Sequence, residues 1–548
     1  MTDKPLFIQS DRTILLDVHS ASAEAARSAI IPFAELIKSP EHIHTYAISQ
    51  ISIWNAASVG ISYDGIVKSL EEYSRFDIPA SVLWFIKDSL DRYGGVKLTP
   101  FDESHYLLTI NNAIFRSQIL SSRAVKNLLE PYSESSFLLK TYSRGELKIQ
   151  LIKLGFPVED LIPLRKGPHL EMNERSDVFT PRPYQREAVD AFLGDGSAGK
   201  GYGNIILPCG SGKTVVAIHA ACRLKTNTLI LCPNVTSVHQ WKRELLAKTT
   251  LREDEIGEYS GEVKEVRPVT IATYQIMIYR QGDSDEYKHF SLLRDNPWGF
   301  VVYDEVHMLP AACFKVTAEI QSMYRLGLTA TLVREDHREA EVFSLVGPKR
   351  YDTPWSDLER QGFIATAHCH EIRVPLSDES AMEYAKARGN AGRYRIAAEN
   401  PFKFTVLESL LARHAGDRVL IIAQYLDQLN EVKKRFGFPM ITGSTSNRKR
   451  DELYDDFRSG KESVLIVSKV ANYAIDLPDA SVAIQLSGSF GSRQEEAQRL
   501  GRILRPKEKD SHFYTVMTKF TSEEDFAQNR QKFLAEQGYS YEIETWDE

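Results

Sequence analysis

The sequence has 548 residues, of which 43% are hydrophobic and 10% aromatic, so it can bury several cores and indicates a globular protein of about three or four domains. The formal net charge of -7 excludes a globally basic, non-specific nucleic-acid binder, although a local basic groove is compatible with it.

No apolar run approaches the roughly 20 residues that a membrane-spanning helix needs, and the opening MTDKPLFIQSD lacks the regions of a signal peptide. We therefore expect a cytoplasmic protein with no membrane partner. The five cysteines are scattered without a C-x-x-C pair, which predicts reduced thiols. His368-Cys369-His370 places two imidazoles on one strand face, but no second ligand pair follows, so metal binding there is the minor alternative.

The first part of the chain is helical and then strand-rich. Helical spacing of apolar residues occurs over 46–59, 63–75 and 80–93, and two strand-like runs surround a turn within 94–111. Three helices and a hairpin is the order of a winged helix, and a small helical domain with a β-ribbon is the alternative. We assign residues 1–94 to this accessory domain.

Residues 95–170 are assigned to a second accessory domain of α+β type. From 116 to 155 the pattern changes to helix, strand and helix, and Ser143 with Glu146 predicts a capping box at the start of the last helix. The stretch 163–177 is predicted to be a linker.

From Thr180 onward, short β-branched runs alternate with longer helical patterns. The runs fall into two groups, which predicts two parallel α/β domains at 171–365 and 366–548.

The stretch IILPCGSGKTVVAIHA predicts a strand, a glycine-rich loop and a helix, which together form a Walker A site. Backbone amides at the two glycines can close around phosphate, Lys213 can neutralise the β and γ oxygens, and Thr214 can bind Mg²⁺. Leu207 stands where the general pattern has Gly, and a glycine-rich structural turn is the alternative. The predicted nucleotide loop is Pro208, Cys209, Gly210, Ser211, Gly212, Lys213 and Thr214.

The stretch WGFVVYDEVHM predicts a buried strand that ends in two acids. Asp304 is placed to hold Mg²⁺, and Glu305 to orient or deprotonate the attacking water. A helix N-cap role for Asp304 is the alternative, and the occurrence of Lys213 about a hundred residues earlier weakens it.

In the second α/β domain, Gln498, Arg502 and Arg505 are spaced four and three residues apart, so they share one helix face. An arginine from a second domain can stabilise charge on a nucleotide held by the first, and the cleft would then close on ATP. A solvated surface helix is the alternative.

The stretches RPYQ, PCGSGKT, DEVH, TAT and QRLGRILR, in this order, resemble the motifs of superfamily 2 helicases. GLTATLVRED and GSRQEEAQRLGRILRPK resemble one family in particular, the XPB helicases in their bacterial or archaeal form. The resemblance spans residues 180 to 510. It implies an α/β fold with two RecA-like helicase domains, an N-terminal α+β accessory region with winged-helix-like and damage-recognition-like parts, and a thumb-like insertion at 376–400.

The resemblance also implies roles for individual residues at the nucleotide. By this resemblance, adenine would be recognised by Arg182, Tyr184 and Gln185. His307 and Gln498 would couple the nucleotide to the second domain. Arg502 and Arg505 would face the γ-phosphate. Asp476 is assigned to the nucleotide site, within a motif where Ala471-Asn472 replaces the usual Gly-Asp.

A second set of implied roles concerns DNA. Thr329 and Thr331 would link hydrolysis to movement, and Thr273 would contact the DNA backbone. Arg334, Glu335 and Asp336 match the RED motif, which the family uses for DNA opening. The insertion would grip phosphates, with a solvated helical hairpin as the alternative, through Lys386, Arg388, Arg393 and Arg395.

The resemblance thus implies a 3′ to 5′ DNA helicase that uses ATP and Mg²⁺ in DNA repair or transcription-linked processes. Implied partners are single-stranded, duplex or forked DNA and a nuclease or repair complex, with the chain itself a monomer. Phosphate contacts predict sequence-independent, salt-sensitive binding. The alternatives are a duplex translocase that remodels complexes without strand separation, a scaffold that uses ATP as a switch, and an RNA substrate.

Overall fold

The computed structural model describes the chain except for residues 1–3, 39–41, 59, 103, 163–165, 195–200, 209, 280–287, 290–291, 293–295, 310–321, 331–341, 344, 354, 469–479, 489–495, 497–498, 502, 505–508, 537–538, 540 and 547–548. The chain divides into two compact units, one of residues 1–206 and 214–352 and the other of residues 207–213 and 353–548. Each unit contains one seven-stranded parallel sheet. None of the helices described is long and apolar enough to cross a membrane.

The first 94 residues contain a four-stranded antiparallel sheet in the order β1-β2-β4-β3. Its core includes Ile14, Ile30 and Ile66. The helix predicted from residue 46 begins at Gln50, because Tyr46 pairs with Ile14 on the neighbouring strand and is buried there. The elements are β1 (Leu6–Ile8), β2 (Thr13–Asp17), α1 (Ala23–Ile30), β3 (Glu35–Lys38), β4 (Ile43–Ala47), α2 (Gln50–Ser58), α3 (Tyr63–Tyr73) and α4 (Ala80–Arg92).

The next segment forms a five-stranded sheet in the order β7-β8-β6-β5-β9. The hairpin expected as a wing lies at the centre of this sheet, since Leu108 pairs with Phe137 on one side and Val96 with Val158 on the other. The capping box expected at Ser143 does not form, because its side chain makes no cap hydrogen bond. The elements are β5 (Val96–Pro100), β6 (His105–Thr109), α5 (Ala113–Ser121), α6 (Arg123–Lys126), β7 (Leu129–Pro131), β8 (Ser136–Lys140), α7 (Arg144–Lys153) and β9 (Val158–Asp160).

Most of the predicted linker packs along the first parallel domain. Leu170 N donates to Lys225 O at 2.9 Å, and the Met172 side chain is fully buried. An isolated antiparallel bridge joins Glu174 to Thr249. Residues 166–177 are therefore a fixed part of the first unit rather than a free connector.

The first parallel sheet has the order β12-β13-β11-β14-β15-β10-β16. Strands such as β11 (TLILC) are buried along their whole length, as is typical of parallel sheets. The elements are α8 (Pro183–Leu193), β10 (Tyr202–Ile206), α9 (Lys213–Leu224), β11 (Thr228–Cys232), α10 (Val235–Lys248), β12 (Ile256–Tyr259), β13 (Val269–Thr273), α11 (Tyr274–Met277), β14 (Phe300–Asp304), β15 (Tyr324–Thr329) and β16 (Lys349–Asp352).

The second parallel sheet has the order β19-β20-β18-β21-β22-β17-β23, which confirms the prediction of two parallel α/β domains. The elements are α12 (Trp355–Arg360), β17 (Ala367–Val374), α13 (Asp378–Lys386), α14 (Asn390–Ala398), α15 (Phe402–Arg413), β18 (Val419–Ile422), α16 (Leu426–Phe436), β19 (Met440–Ile441), α17 (Asn447–Ser459), β20 (Val464–Val467), β21 (Val482–Gln485), β22 (Ser511–Thr518), α18 (Ser522–Glu536) and β23 (Tyr541–Thr545).

The two histidines of the His-Cys-His stretch share one face of β17. His368 stacks on His512 with ring centroids 5.2 Å apart, and His370 stacks on Tyr514 at 4.5 Å. No group of three or more His, Cys, Asp or Glu side chains in the described ranges could hold a metal ion. Ring stacking therefore gives His368 and His370 a packing role on this face of β17.

A buried ion cluster joins the accessory region to the first parallel sheet. Asp160 at the end of β9 accepts hydrogen bonds from Arg144 at 2.8 Å and from Lys148 at 3.2 Å. Arg325 of β15 is also buried, and its positive charge acts on both Asp160 and Lys148. Burial lowers the pKa of Lys148 to about 8, against the opposing effect of the Asp160 carboxylate.

This pKa predicts a pH dependence of stability. The pKa of Lys148 is about 8 in the folded chain, whereas its ordinary pKa is 10.5. Between these two pH values, the unfolded chain binds more protons at Lys148 than the folded chain does. The contribution of Lys148 to the free energy of unfolding should therefore increase as the pH rises from about 8 to 10.5. Urea unfolding at several pH values from 7 to 10 would measure it by comparing wild type with Lys148→Met. This pH-dependent contribution should vanish in Lys148→Met. It should persist in Lys153→Met, which changes an exposed lysine of the same helix. The same dependence of unfolding free energy on pH in wild type and in Lys148→Met would contradict the prediction.

Candidate nucleotide site

Three predicted motifs lie at, or directly follow in the chain, the carboxyl ends of neighbouring strands in the first parallel sheet. Strands β14, β15 and β10 are neighbours, and all run in the same direction. At their carboxyl ends, β14 finishes in Asp304, β15 finishes in Thr329, and β10 runs into the glycine-rich loop. This edge is where open α/β sheets bind ligands.

The loop between β10 and α9 has the backbone of a phosphate-binding turn. Gly210 and Gly212 have φ values of 78° and 83°, which favour glycine because it has no Cβ. Ser211 Oγ donates to the Pro208 carbonyl at 2.7 Å and closes the turn. Helix α9 begins at Lys213, so the amides of its first turn can bind an anion.

Asp304 is held by two aromatic side chains. Trp241 Nε1 donates to Asp304 Oδ2 at 2.9 Å, and the Tyr274 hydroxyl donates to the Asp304 carbonyl at 2.7 Å. Nearby, burial raises the pKa of the Cys232 thiol well above its ordinary value, and the Asp304 charge adds to the shift. These contacts fix the direction of the acid at the end of β14.

The residues after Asp304 connect two motifs. Glu305 adopts the left-handed backbone conformation, with φ 48° and ψ 54°. His307 Nδ1 lies 3.5 Å from Glu305 Oε2 and 2.6 Å from Thr329 Oγ1. His307 and Thr329 are both buried. The DEVH stretch and the Thr-Ala-Thr stretch are thus linked by a side-chain hydrogen bond.

The three residues predicted to recognise adenine cluster at the start of α8. The Arg182 amide donates to Gln185 Oε1 at 2.8 Å, which caps the helix. Arg182 Nη1 and Gln185 Nε2 each lie 3.4 Å from the Tyr184 hydroxyl. Burial raises the pKa of Tyr184 above its ordinary value.

Thr273, predicted to contact DNA, has a structural role in the described fold. Its side chain is buried, and Oγ1 accepts a hydrogen bond from the Ile276 amide at 3.4 Å, as an N-cap of α11. A contact through the Thr273 hydroxyl would therefore compete with the helix cap.

The basic residues of the insertion are exposed, as a phosphate grip requires. Arg395, however, already pairs with Glu399 at 3.1 Å and with Asp427. Arg393 donates from Nε to the Ala387 carbonyl at 3.2 Å. Within the described part of the chain, Arg393 makes no ion pair.

Several predicted residues lie outside the described residues: Cys209, Thr331, Arg334, Glu335, Asp336, Asp476, Gln498, Arg502 and Arg505. Their neighbours Glu496 and Arg499 are described and buried.

Sequence reasoning missed the residues that orient the acid pair. Trp241 lies 63 residues before Asp304 and Tyr274 lies 30 residues before it. No local spacing marks these contacts. The one available signal was the position of Trp241, in the helix that follows the buried strand β11.

Three family models match the chain. The model described as ERCC3/RAD25/XPB C-terminal helicase matches residues 358–547, and the type III restriction enzyme res subunit matches residues 178–334. A model described as helicase conserved C-terminal domain matches residues 6–131, which here contain the four-stranded antiparallel sheet and part of the five-stranded sheet. The solved structure of S. cerevisiae Dbp5 bound to RNA and ADP BeF3 aligns with a TM-score of 0.49 at 15% identity, over 68% of this chain and 91% of that chain.

Two RecA-like domains with these nucleotide motifs define a superfamily 2 helicase. The DNA 3'-5' helicase XPB of Kineococcus radiotolerans is 48% identical over 547 residues, 99% of this chain and 97% of the relative. That of Mycobacterium tuberculosis is 46% identical over 552 residues, 100% and 99% of the two chains. The chain belongs to the XPB helicase family, which confirms the resemblance drawn from its motifs, and it is an ATP-dependent helicase.

The family extends to eukaryotic relatives. The general transcription and DNA repair factor IIH helicase/translocase subunit XPB/SSL2 of Saccharomyces cerevisiae is 31% identical over 613 residues. The alignment covers 99% of this chain and 72% of the yeast protein.

Proposed function

We propose that this helicase moves 3′ to 5′ along DNA and opens the duplex during DNA repair or transcription-linked processes. The two bacterial relatives that match nearly the whole chain are named DNA 3'-5' helicase XPB. The yeast relative is named as a subunit of a general transcription and DNA repair factor. The observation that carries the proposal is the hydrogen bond between His307 and Thr329, because it joins the nucleotide motif to the motif on the next strand.

In the proposed nucleotide site, the loop amides and Lys213 hold the phosphates. The positive φ values of Gly210 and Gly212 support this, since they let successive amides turn toward one anion. Arg182, Tyr184 and Gln185 contact the adenine. Cys209 and Asp476 complete the proposed set.

Mg²⁺ would be held by Asp304 and Thr214. A carboxylate and a hydroxyl are hard oxygen donors of the kind that Mg²⁺ prefers, with phosphate oxygens and water as its other ligands. The Trp241 hydrogen bond to Asp304 Oδ2 fits this role because it orients the carboxylate. The bound ion would neutralise charge on the phosphates during transfer.

Hydrolysis would depend on Glu305 in the first domain and on three residues of the second. The Glu305 carboxylate orients the attacking water or accepts its proton. Arg502 and Arg505 stabilise charge on the γ-phosphate, and Gln498 senses the nucleotide. The signal then passes from Glu305 through His307 to Thr329.

The DNA-binding roles in this proposal belong to Thr273, Thr329 and Thr331, the triplet Arg334, Glu335 and Asp336, and the exposed arginines of the insertion. Phosphate contacts of this kind make binding sequence-independent and salt-sensitive. The chain would act as a monomer on single-stranded, duplex or forked DNA, with a nuclease or repair complex as a further partner.

A second candidate is a duplex translocase that remodels complexes without processive strand separation. It is favoured by the name of the yeast relative, which reads helicase/translocase. A 3′ to 5′ helicase should displace a strand from a duplex with a 3′ overhang and fail on a duplex with a 5′ overhang. A pure translocase displaces the third strand of a triplex and separates neither duplex.

The same assays test the coupling role of Thr329. Thr329→Val removes the hydroxyl that meets His307 and should lower strand displacement about 5- to 150-fold, since an unpaired buried polar group costs about 1–3 kcal/mol. ATPase activity stimulated by a DNA strand should fall much less. Equal loss of both activities would contradict the coupling role.

The matched control is Thr270→Val, which removes another buried hydroxyl from the same sheet, where Thr270 Oγ1 donates to the Arg267 carbonyl at 2.7 Å. It should leave the ratio of strand displacement to ATPase unchanged. Stimulation of the wild-type ATPase by RNA as strongly as by DNA would contradict the proposed substrate.

A further inference from the structure

The thumb-like insertion packs on the second domain through helix α14 and through Tyr384 of α13, whose hydroxyl accepts a hydrogen bond from the Ser522 amide at 2.9 Å. Helix α13 has no buried residue, whereas α14 buries Tyr394, Ala397 and Ala398. Tyr394 lies between Arg393 and Arg395, the two arginines proposed to grip DNA. Any displacement of α14 by DNA would therefore move this buried side chain.

The Tyr394 hydroxyl makes two long-range contacts. It donates to the Gly488 carbonyl, in the segment that follows β21. It lies 3.5 Å from Nη1 of Arg530, a fully buried arginine on α18. The phenol thus contacts both a main-chain carbonyl and a buried positive charge.

Arg530 continues the chain of contacts. Its Nε lies 3.5 Å from Glu496 Oε2, and both side chains are at most 1% exposed. Gln485 Nε2 donates to the same Glu496 oxygen at 3.0 Å, and Gln485 Oε1 accepts from Arg499. Glu496 and Arg499 flank Gln498, and Arg499 is three residues before Arg502.

The residues that follow Arg499 in the chain are held in place by burial and by a hydrogen bond. Leu500, Ile503 and Leu504 are fully buried, and the Ile503 carbonyl accepts a hydrogen bond from Ser511 Oγ at 2.6 Å. Glu496 is four residues before Leu500, so a shift of Glu496 would act on the chain next to this anchored part. Charged groups in a dry interior interact strongly, so their spacing is held firmly.

We propose that Tyr394 is a positioning residue, which transmits the position of the DNA-binding insertion through Arg530 to Glu496 and so sets the arginine segment for ATP hydrolysis. This inference rests on the roles proposed above for Gln498, Arg502 and Arg505. It adds a physical link by which DNA on the insertion stimulates the ATPase.

The test removes a single oxygen atom from the full-length protein. Tyr394→Phe keeps the ring and removes the hydroxyl that contacts Gly488 and Arg530. The DNA-stimulated kcat should fall about tenfold, which equals about 1.4 kcal/mol in barrier height, while the KM for ATP should stay within about twofold because the nucleotide loop is untouched.

A second variant reaches the same contact from the other side. A Cβ on Gly488 would lie 2.5 Å from Arg530 Cζ, so Gly488→Ala must displace the guanidinium. Gly488→Ala should show the same loss of kcat at an unchanged KM. If Tyr394→Phe unfolds at the assay temperature, Gly488→Ala tests the positioning role in its place. Tyr425→Phe is the matched control, since its ring lies 6.4 Å from that of Tyr394, and it should behave as wild type.

Arg502→Ala separates this inference from the proposed function. Wild-type turnover in Arg502→Ala would overturn the proposed role of the arginine segment itself. Loss in Arg502→Ala together with wild-type kcat in both Tyr394→Phe and Gly488→Ala would overturn only the positioning role. A parallel rise in KM, or an equal kcat loss in Tyr425→Phe, would also overturn it.

Discussion

Replacing Glu305 by Gln is expected to lower the DNA-stimulated kcat for ATP hydrolysis by about 10²- to 10⁴-fold, the usual contribution of a general base. The loss corresponds to about 3–5 kcal/mol in barrier height. Gln keeps the length and shape of the side chain but cannot accept a proton from water at neutral pH. ATP binding should persist, because Lys213 and the loop glycines remain.

The backbone at Glu305 supports a dedicated role for this side chain. Its φ of 48° lies in the left-handed region, which residues with a Cβ rarely adopt. Such conformations persist where surrounding contacts hold them, and they cluster at functional sites. Here, the neighbouring Asp304 carbonyl is fixed by Tyr274, and the Met308 amide donates to the Glu305 carbonyl at 2.8 Å.

Steady-state ATPase kinetics and equilibrium binding of an ATP analogue would measure the two effects separately. Glu262→Gln makes the same chemical change at an exposed glutamate of the first unit and should leave both unchanged. Glu305→Gln with wild-type kcat would remove Glu305 from the hydrolysis step.

Local motifs predict where a nucleotide site would lie, because its parts are short and ordered along the chain, and the roles of its individual residues stay predictions. Gly210 and Gly212 have the positive φ values that a phosphate loop needs, and Asp304 ends a buried strand. Leu207, which departs from the motif, is fully buried. It serves the core before the loop begins, so its identity is set by packing.

Contacts between distant parts of the chain could not be predicted in the same way. The hairpin expected as a wing joins a larger sheet because its partners come much later, as His105 opposite Lys140 shows. Thr273 was predicted as a DNA contact from its motif, yet whether it is buried depends on the fold around β13. The contact between Tyr394 and Arg530 spans 136 residues, and neither it nor the contact between Arg530 and Glu496 carries a local pattern.

The largest expected effect on stability comes from a second buried ion pair. Lys403 Nζ lies 2.7 Å from Glu523 Oε1, and the two side chains are 0% and 1% exposed. The same ammonium donates to the Leu486 carbonyl at 2.7 Å, and the Thr518 amide donates to Glu523 Oε2 at 3.0 Å. Burial lowers the pKa of Lys403, whereas the Glu523 carboxylate opposes this shift.

Glu523→Ala should lower the free energy of unfolding of the second unit by about 3–5 kcal/mol, because it leaves an ammonium buried without its counter-charge. Hydrogen exchange of peptides from α15 and α18 would locate the loss within that unit, which a single unfolding midpoint of a multidomain protein cannot do. Glu452→Ala removes the carboxylate of an exposed pair with Lys449 and should change exchange little, since surface pairs are screened by water.

The double variant Lys403→Met with Glu523→Gln distinguishes loss of charge balance from loss of packing. It removes both charges and keeps an acceptor for the Thr518 amide, so it should recover most of the stability lost in Glu523→Ala. Recovery would show that the single substitution acts through the unpaired Lys403 charge. A double variant as unstable as Glu523→Ala would mean that volume and hydrogen bonds, and not charge balance, hold α15 to α18.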